Sequence, residues 1–417
     1  MLHYIVFLIF FVFLLRKFEK AAIMVAALAC WLTFFKDPLT LVGNMYLALS
    51  LLVVLWGIKK YGKSLMSAPF IWCIVPVFIS NVVTMIAHGT FLKQYPIIIA
   101  QYLFPCVLYL IINSRAKVNL FVKYASAFMI VATLYCFVEE IISSNPFISW
   151  CEGRADSFTF FSNKIEERFG FKRAQSVFAS PTGLGIMCSY LFIVLFIFLR
   201  YNEQLMRVTW RKALLLFMPV CVFFTGTRSI ILCFLLALLT LLTPSTIKKY
   251  RTTFILISII LCVFMGSYFI SVYDSIFVDT EIGGSSSDMR EGQWEIAFYY
   301  LTNDFWVGNG ITFTNSLLNQ DEEGLFGAEG MWIPIIMDRG MIGVISVLFA
   351  FIIGLFEIIK RKHYRLIWLW VSFLVLKTIT TGVGIEPTYY AVILVVLFRY
   401  YEFKRLEGSI KTIKSVE

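Results

Sequence analysis

Residues 180–199 of the chain read SPTGLGIMCSYLFIVLFIFL, a run of twenty residues without one charged side chain. An α-helix needs about 20 mostly apolar residues to cross the hydrocarbon layer of a bilayer. Ser180 is a favoured helix N-cap and Pro181 a favoured first helical residue. The segment therefore predicts a membrane helix that begins at Pro181.

Apolar runs of this kind recur along the whole chain. Of the 417 residues, 59% are hydrophobic and 15% are charged, and the mean hydropathy is +0.81. Soluble domains are about one-quarter charged. The sequence therefore predicts an all-α, polytopic integral membrane protein, with residues 1–417 forming a single membrane domain of about 11–14 transmembrane helices. The predicted spans are 2–15, 21–36, 40–58, 69–87, 95–113, 124–142, 180–199, 213–226, 229–243, 252–273, 331–359, 366–380 and 385–398.

Basic residues mark every second connection between these runs. Seven connections hold 25 of the 36 lysines and arginines, namely 16–20, 59–63, 115–123, 200–212, 248–251, 360–365 and 399–417. Positively charged loops stay in the cytoplasm, so the C-terminus is predicted to be cytoplasmic. The net charge of +10 follows from this asymmetry and does not indicate nucleic-acid binding.

Two segments interrupt the apolar pattern, and both fall on the predicted outer side. Residues 143–179 are predicted to be an extracytoplasmic segment, and residues 274–330 a large extracytoplasmic loop. A third polar point, Gly226-Thr227-Arg228-Ser229, lies at the same boundary. Long loops carry function more often than stability, and all three places contain arginine. The sequence thus predicts a basic site at the outer boundary.

Two of these arginines lie next to predicted membrane helices. Arg173 lies just outside the helix that starts near Ser180, where an arginine can instead meet lipid headgroups. Arg228 stands between two apolar runs, where a charge is costly unless it is paired or hydrated. Snorkelling at a helix end is the alternative for Arg228. The two runs that flank it are either separate spans or one broken element.

The large loop contains a predicted helix at 289–302. Arg290, Trp294, Ala297 and Leu301 share one face of that helix by their spacing. Arg290 is therefore predicted to project with an apolar stripe, and an inward arginine needs an anionic partner from the protein or from a ligand. Further along, Trp306-Val307-Gly308-Asn309-Gly310 predicts a tight turn.

Charged residues also surround the start of the span at 331–359. Glu329 directly precedes it, and a carboxylate at a helix N-terminus stays ionised more readily. It acts as a helix cap, as a base, or as a ligand for an acceptor hydroxyl. Asp338 and Arg339 follow about two turns into the helix and do not face each other, so each needs a partner elsewhere. Gly340 and Gly343 permit close helix packing.

The cysteines give no sign of a metal site. The nine cysteines are dispersed without a CxxC pair, and all but Cys151 lie in apolar runs. This distribution predicts buried core residues, without a disulfide framework or bound metal. No cofactor is predicted.

Residues 170–345 resemble the O-antigen and capsule repeat-unit polymerases (Wzy type), whose superfamily includes the O-antigen ligases. The order of several motifs carries this resemblance: the arginine-containing stretch that leads into Ser180-Pro181-Thr182-Gly183, then Gly226-Thr227-Arg228-Ser229, Arg290 with Trp294, Gly308-Asn309-Gly310, and Glu329 through Gly340 and Gly343.

The resemblance implies a metal-independent glycan polymerase in the bacterial inner membrane. Its substrate would be a polyprenyl-diphosphate-linked oligosaccharide, with membrane lipid and a chain-length regulator as further partners. Arginines at the positions similar to Arg228 and Arg290 hold the diphosphate in that family, and ligases carry a histidine about where this chain has Glu329. The implied catalytic residues are Glu329 and Arg290, and the implied substrate-binding residues are Arg173, Arg228, Arg290, Arg339 and Trp294.

Two other functions remain open at this point. A ligase that transfers finished glycan would use the same arginines. A flippase or transporter of lipid-linked oligosaccharide usually shows repeated halves and a site near the bilayer middle. The chain has no internal repeat, and its unusual charges collect at the predicted outer boundary.

Overall fold

The computed structural model describes residues 2–27, 45–89, 102–152, 167–168, 171–178, 180–201, 208–242, 286–318, 325, 330–379 and 388–414. The helices of this part of the chain are α1 Leu2–Arg16, α2 Phe18–Ala27, α3 Met45–Tyr61, α4 Ile71–Ala87, α5 Tyr102–Ile111, α6 Arg115–Ile142, α7 Pro146–Glu152, α8 Pro181–Tyr201, α9 Val208–Phe224, α10 Arg228–Leu238, α11 Ser286–Leu301, α12 Phe313–Leu318, α13 Trp332–Lys360, α14 Leu366–Ile379 and α15 Thr388–Lys414. The strands of the same part are β1 Glu167–Arg168 and β2 Phe171–Lys172, an antiparallel pair. Short 3-10 helices span Gly62–Ser67 and Leu239–Leu241.

The prediction of an all-α polytopic membrane protein is confirmed. Among the described residues, three helices are long and apolar enough to cross a membrane: α6, residues Pro181–Phe198 of α8, and α13. Residues Ala48–Ser67 and Ile71–Ala87 form a pair bent by 109°, which would add a fourth span. The predicted run at 252–273 and parts of several others lie outside the described residues, so the total of about 11–14 spans stays a prediction.

The membrane helix predicted from residues 180–199 begins at the predicted residue. α8 starts at Pro181, and the Gly183 amide donates to Ser180 Oγ at 3.2 Å, so Ser180 is the N-cap. The two runs that flank Arg228 form separate helices, α9 and α10, joined by a turn at residues 225–227.

Contacts among α8, α10 and α14 show which ends of these helices lie next to each other. Tyr190 Oη on α8 lies 2.8 Å from Ser372 Oγ on α14, and Ser372 Oγ donates to the Cys233 carbonyl of α10 at 2.7 Å. The Met331 amide, just before α13, donates to the Lys377 carbonyl near the end of α14 at 2.8 Å. We call the end of the bundle that holds residues 142, 181, 228 and 332 the outer end.

A charged network joins three helices at the opposite end. Arg361 after α13 donates to Glu402 of α15 at 2.6 Å, and Tyr109 of α5 donates to the same carboxylate at 2.8 Å. Arg399 bonds the other Glu402 oxygen at 3.0 Å and lies over the Tyr109 ring at 3.6 Å. Because each of these side chains has a partner within the network, their charges are stabilised at the predicted cytoplasmic boundary.

A second cluster of the predicted cytoplasmic side centres on Glu19, at the start of α2. Lys60 and Tyr61 donate to its Oε1, each at 2.6 Å, and Lys117 contacts its Oε2. Partial burial raises the pKa of Glu19, but these hydrogen bonds outweigh burial and lower it from 4.5 to about 2. The cluster ties α2 to α3 and α6.

This cluster predicts acid-sensitive stability. Because the folded-state pKa of Glu19 lies below its unfolded value, the stabilisation is present above about pH 4.5 and is lost as the pH falls towards about 2. We expect Glu19→Gln to lower the melting temperature at pH 7 and to differ progressively less from the parent chain below pH 4.5. Thermal unfolding measured across this range in detergent tests the expectation. A difference that does not change with pH would contradict it.

Candidate functional site

The structure joins Arg173 to the turn between α9 and α10. Arg173 Nε donates to the Thr225 carbonyl at 3.1 Å, and its Nη2 donates to Thr227 Oγ1 at 3.2 Å. Arg228 follows Thr227 directly as the first residue of α10. We call Arg173 together with residues 225–228 the arginine turn. Arg173 and Arg228 are both half-buried, so part of each residue is accessible.

The local sequence explains why this turn forms. Gly226 has φ 59, a left-handed conformation that glycine adopts without steric cost. Thr227 is extended and serves as the N-cap residue of α10. On the other side of the turn, the Ala174 amide donates to the Phe224 carbonyl at 2.9 Å. The segment that carries Arg173 is therefore held by its backbone as well as by its side chain.

A second structured element lies where Gly308-Asn309-Gly310 meets α13. Gly308 and Gly310 have φ 69 and 107, so the predicted tight turn is confirmed. The Asn309 amide donates to the Met337 carbonyl at 2.9 Å, and the Gly310 amide to the Asp338 carbonyl at 3.0 Å. A Cβ on Gly308 would lie 2.5 Å from the amide nitrogens of Arg339 and Gly340, so only glycine fits there. We call residues 308–310 with 338–340 the glycine contact.

α13 is broken at Gly340, inside the glycine contact. Gly340 has φ 59 and ψ −156, which are not helical. The Met341 and Ile342 amides donate to the Phe305 and Trp306 carbonyls at 3.0 and 3.1 Å. Backbone at membrane depth can leave the helical conformation only where such partners replace the lost bonds. The loop before the glycine contact supplies them.

Asp338 has a partner other than Arg339, as the sequence predicted. Its Oδ1 accepts bonds from the Thr314 amide at 2.8 Å and the Thr314 hydroxyl at 2.7 Å, and its Oδ2 accepts from the Thr312 amide at 3.2 Å. These donors lie at the start of α12. Asp338 thus caps α12 and fixes the residues that follow the glycine contact.

Arg339 is 5% exposed, and its Nε and Nη1 have no hydrogen-bond partner among the described residues. A buried guanidinium with unsatisfied donors is costly in a membrane protein. It is therefore a group that a bound anion would stabilise.

The two elements lie at different depths of the bundle. Arg228 precedes Cys233 by five residues on α10, and Lys377 follows Ser372 by five residues on α14. By helical rise, Arg228 and Lys377 therefore each lie about 7.5 Å further outward than the Cys233–Ser372 contact. Arg228 and the start of α13 therefore flank the outer end of α14 at one level. Arg339 lies eight residues beyond Met331, about 12 Å deeper by helical rise. Glu329 lies outside the described residues.

The helix of the large loop differs from the prediction in two respects. α11 begins at Ser286, three residues before the predicted start at Met289. Ala297 and Leu301 are buried and Trp294 packs against their cluster, which confirms the stripe, but Arg290 is exposed. The expected inward projection of Arg290 is therefore wrong. The cluster is completed by Leu325 and by residues of α12 and α13, and its first member on α11 is Trp294.

An apolar cavity lies between α4, α5, α13, α14 and α15. Met331 and Lys377 line it near the outer end, and Phe70 and Trp370 line it further inward. All of its other lining side chains except Tyr102 are hydrocarbon or sulfur-containing. The cavity thus extends from the start of α13 into the apolar part of the bundle.

Several residues that support these elements were not predicted from the sequence. Glu139 of α6 accepts bonds from the backbone that follows Arg173. Thr84 Oγ1 donates to the Val307 carbonyl at 3.1 Å, and His88 Nε2 lies 2.9 Å from the Gly308 carbonyl oxygen. Gln293 Nε2 donates to the Leu325 carbonyl at 2.8 Å. The pairing of these residues is long-range, and only the unusual occurrence of Glu139 in an apolar run could have drawn attention to one of them.

This fold and this site define a class: a polytopic helical membrane protein with a basic polar site at one end of the bundle. Residues 213–348 match the family model described as O-antigen ligase (Wzy_C), which covers about a third of the chain and includes Arg228, Arg290, Glu329 and Arg339. The match supports the resemblance of this chain to the O-antigen polymerase and ligase superfamily. A comparison with curated proteins found no match.

The matched family indicates a general activity. Proteins of this superfamily are glycosyltransferase-like enzymes that process glycans in a membrane, and the family indicates a lipid-linked oligosaccharide as substrate. The family and the membrane helices together indicate an inner-membrane protein.

Proposed function

We propose that the chain is a glycan polymerase that joins polyprenyl-diphosphate-linked repeat units at the outer face of the bacterial inner membrane, without a metal ion. The observation that carries this proposal is the hydrogen-bonded contact between Arg173 and the Thr225–Arg228 turn. The proposed orientation has the outer end extracytoplasmic and the C-terminus cytoplasmic.

The arginine turn has the properties that a diphosphate site requires. Arginine stays charged at all physiological pH values and can bond phosphate oxygens in a bidentate manner. Arg228 also begins α10, and the positive end of a helix dipole favours an anion. In this proposal Arg173 and Arg228 hold the diphosphate. Arg290, at the exposed start of α11, joins them when the acceptor is bound.

The proposed reaction is a displacement at the anomeric carbon of the donor sugar. A hydroxyl of the acceptor repeat unit forms the new glycosidic bond and gives its proton to Glu329. The bond between the anomeric carbon and the diphosphate oxygen breaks, and the polyprenyl diphosphate leaves with the electron pair. Negative charge grows on the diphosphate as this bond breaks, so fixed guanidinium groups stabilise the transition state more than the ground state.

Other parts of the structure fit a lipid-linked glycan. The apolar cavity begins at Met331 and Lys377, next to the level of Arg228, and offers a hydrocarbon environment for the isoprenoid chain. Trp294 stacks on Phe298 with ring centroids 5.6 Å apart, and Phe298 is exposed. This aromatic pair is the proposed contact for a sugar ring. Arg339, buried and deeper, is proposed to bind the substrate only after the glycine contact opens.

The ligase is the second candidate, because the matching family model carries that description. We favour the polymerase because Glu329 stands where the ligases have a histidine. The three histidines of the chain are His3, His88 and His363, so none occupies that position.

The test is the glycan profile of cells that lack this chain. Loss of a polymerase leaves single repeat units on the final acceptor and no long chains. Loss of a ligase leaves long chains on the lipid carrier and none on the acceptor, which would overturn the polymerase in favour of the ligase. Lipid-linked units retained at the cytoplasmic face would instead indicate a transporter.

A further inference from the structure

A fully buried carboxylate lies behind the arginine turn. Glu139, near the outer end of α6, is 0% exposed. Its Oε2 accepts hydrogen bonds from two consecutive backbone amides, Gln175 at 3.1 Å and Ser176 at 2.6 Å. Bonds between an ionised acceptor and backbone amides are roughly twice as strong as neutral ones. The two amides follow Arg173 by two and three residues.

The segment that Glu139 binds cannot hold its shape through regular secondary structure. Residues 173–175 lie after β2 and outside any helix, so their backbone groups need partners from elsewhere. Ser176 has φ 52, which a non-glycine residue adopts only at a cost. Two more bonds support it: Ser176 Oγ donates to the Ala132 carbonyl at 2.7 Å, and Asn145 Nδ2 donates to the Ser176 carbonyl at 2.8 Å.

The same short segment is therefore held from both sides. On one side, Glu139 fixes the amides of residues 175 and 176 to α6. On the other side, the Ala174 amide and the Arg173 guanidinium bond the carbonyls of Phe224 and Thr225. Arg173 directly precedes these attached amides in the chain, so a shift of the Glu139 contact moves the guanidinium relative to Arg228.

The charge of Glu139 is balanced by a neighbour of Arg173. Lys172 Nζ lies 3.8 Å from Glu139 Oε1, and the Lys172 side chain is almost fully buried. A buried carboxylate without a compensating cation would be strongly destabilising. The pair therefore allows an ionised carboxylate to remain under the arginine turn.

We infer that Glu139 is a positioning residue that holds Arg173 in place to bind the diphosphate of the lipid carrier. This inference rests on the proposed function of Arg173. Glu139 acts through the backbone of residues 175 and 176 and does not itself contact the substrate.

The test is a double-mutant cycle on the full chain in lipid nanodiscs, with undecaprenyl diphosphate as the probe and its Kd as the readout. Glu139→Gln keeps the size of the side chain and removes its charge. We expect it to weaken binding about tenfold. Arg173→Ala should weaken binding at least as much. The double variant should bind no more weakly than Arg173→Ala alone, because Glu139 acts only through Arg173.

The neighbouring carboxylate provides a matched control. Glu140 follows Glu139 on α6 and, in the described part of the chain, makes no hydrogen bond to residues 173–176, so Glu140→Gln should leave the Kd unchanged. A merely structural role would lower binding equally in both backgrounds. Additive losses in the double variant, or wild-type affinity in Glu139→Gln, would overturn the inference.

A milder variant covers the case in which Glu139→Gln does not fold. Ser176→Ala removes only the hydroxyl bond to Ala132 and should weaken binding two- to threefold, with no effect in the Arg173→Ala background. Unchanged binding by Ser176→Ala would then overturn the inference. The proposed function fails separately: if Arg173→Ala binds the probe as tightly as wild type, Arg173 does not hold the diphosphate.

Discussion

Arg228→Ala is expected to abolish polymer formation while single repeat units still reach the cell surface. Removing one group that stabilises developing negative charge typically costs a factor of about 10²–10³ in rate. Arg228 has two roles in the proposal, as a guanidinium and as the first residue of α10 beside the Arg173 contact. The measurement is the chain-length distribution of surface glycan in cells that carry only the variant.

The choice of variants separates charge from geometry. Arg228→Lys keeps the positive charge but loses bidentate bonding, so it should give short chains and a rate between those of wild type and Arg228→Ala. Arg365→Ala is the matched control, since Arg365 is an exposed arginine between α13 and α14 at the opposite end of the bundle. It should leave the profile unchanged.

Two outcomes would count against this prediction. Normal polymer in Arg228→Ala would remove Arg228 from the site. If single repeat units also failed to cross the membrane, the transporter would become the better hypothesis. Arg290→Ala and Glu329→Gln in the same assay test the two proposed catalytic residues.

Gly340→Ala is expected to have the largest effect on folding. Gly340 has φ 59 and ψ −156, and a Cβ there would lie 2.7 Å from the Gly308 amide nitrogen and from the Phe305 and Trp306 carbonyl oxygens. These atoms are backbone and belong to the loop that completes the broken helix, so they cannot move aside independently. We expect a loss of more than about 2 kcal/mol in the free energy of unfolding, together with loss of polymer.

Gly292→Ala is the matched control for this prediction. Gly292 lies inside α11, and a Cβ there would meet nothing within 4 Å. An alanine in a helix interior is favoured over glycine by roughly 0.5–1 kcal/mol, so this variant should be neutral or slightly more stable. Thermal unfolding of both purified variants in detergent makes the comparison. Equal melting temperatures for Gly340→Ala and wild type would show that the glycine contact does not require glycine.

The sequence predicted those features that depend on local pattern. Apolar run length predicted the membrane helices, the Ser180-Pro181 pair predicted the start of α8, and the glycines of residues 308–310 predicted a tight turn. These features arise from the length of an apolar run or from the conformational preference of single residues. A single sequence is enough to show them.

Other features depend on contacts between distant segments, and the sequence did not reveal them. The break at Gly340 exists because the loop at 305–310 provides replacement hydrogen bonds, and Asp338 caps a helix that begins about 25 residues earlier in the chain. The spacing of α11 predicted a stripe that includes Arg290. The residues of α12 and α13 that pack against α11 do not reach Arg290, so Arg290 is exposed.

The most direct measurement is an experimental structure of the full chain in a lipid nanodisc with undecaprenyl diphosphate bound. At the outer end of the bundle, phosphate oxygens should lie within about 3 Å of guanidinium nitrogens of both Arg173 and Arg228. A diphosphate bound elsewhere, or two arginine side chains that face bulk lipid in separate directions, would contradict the account.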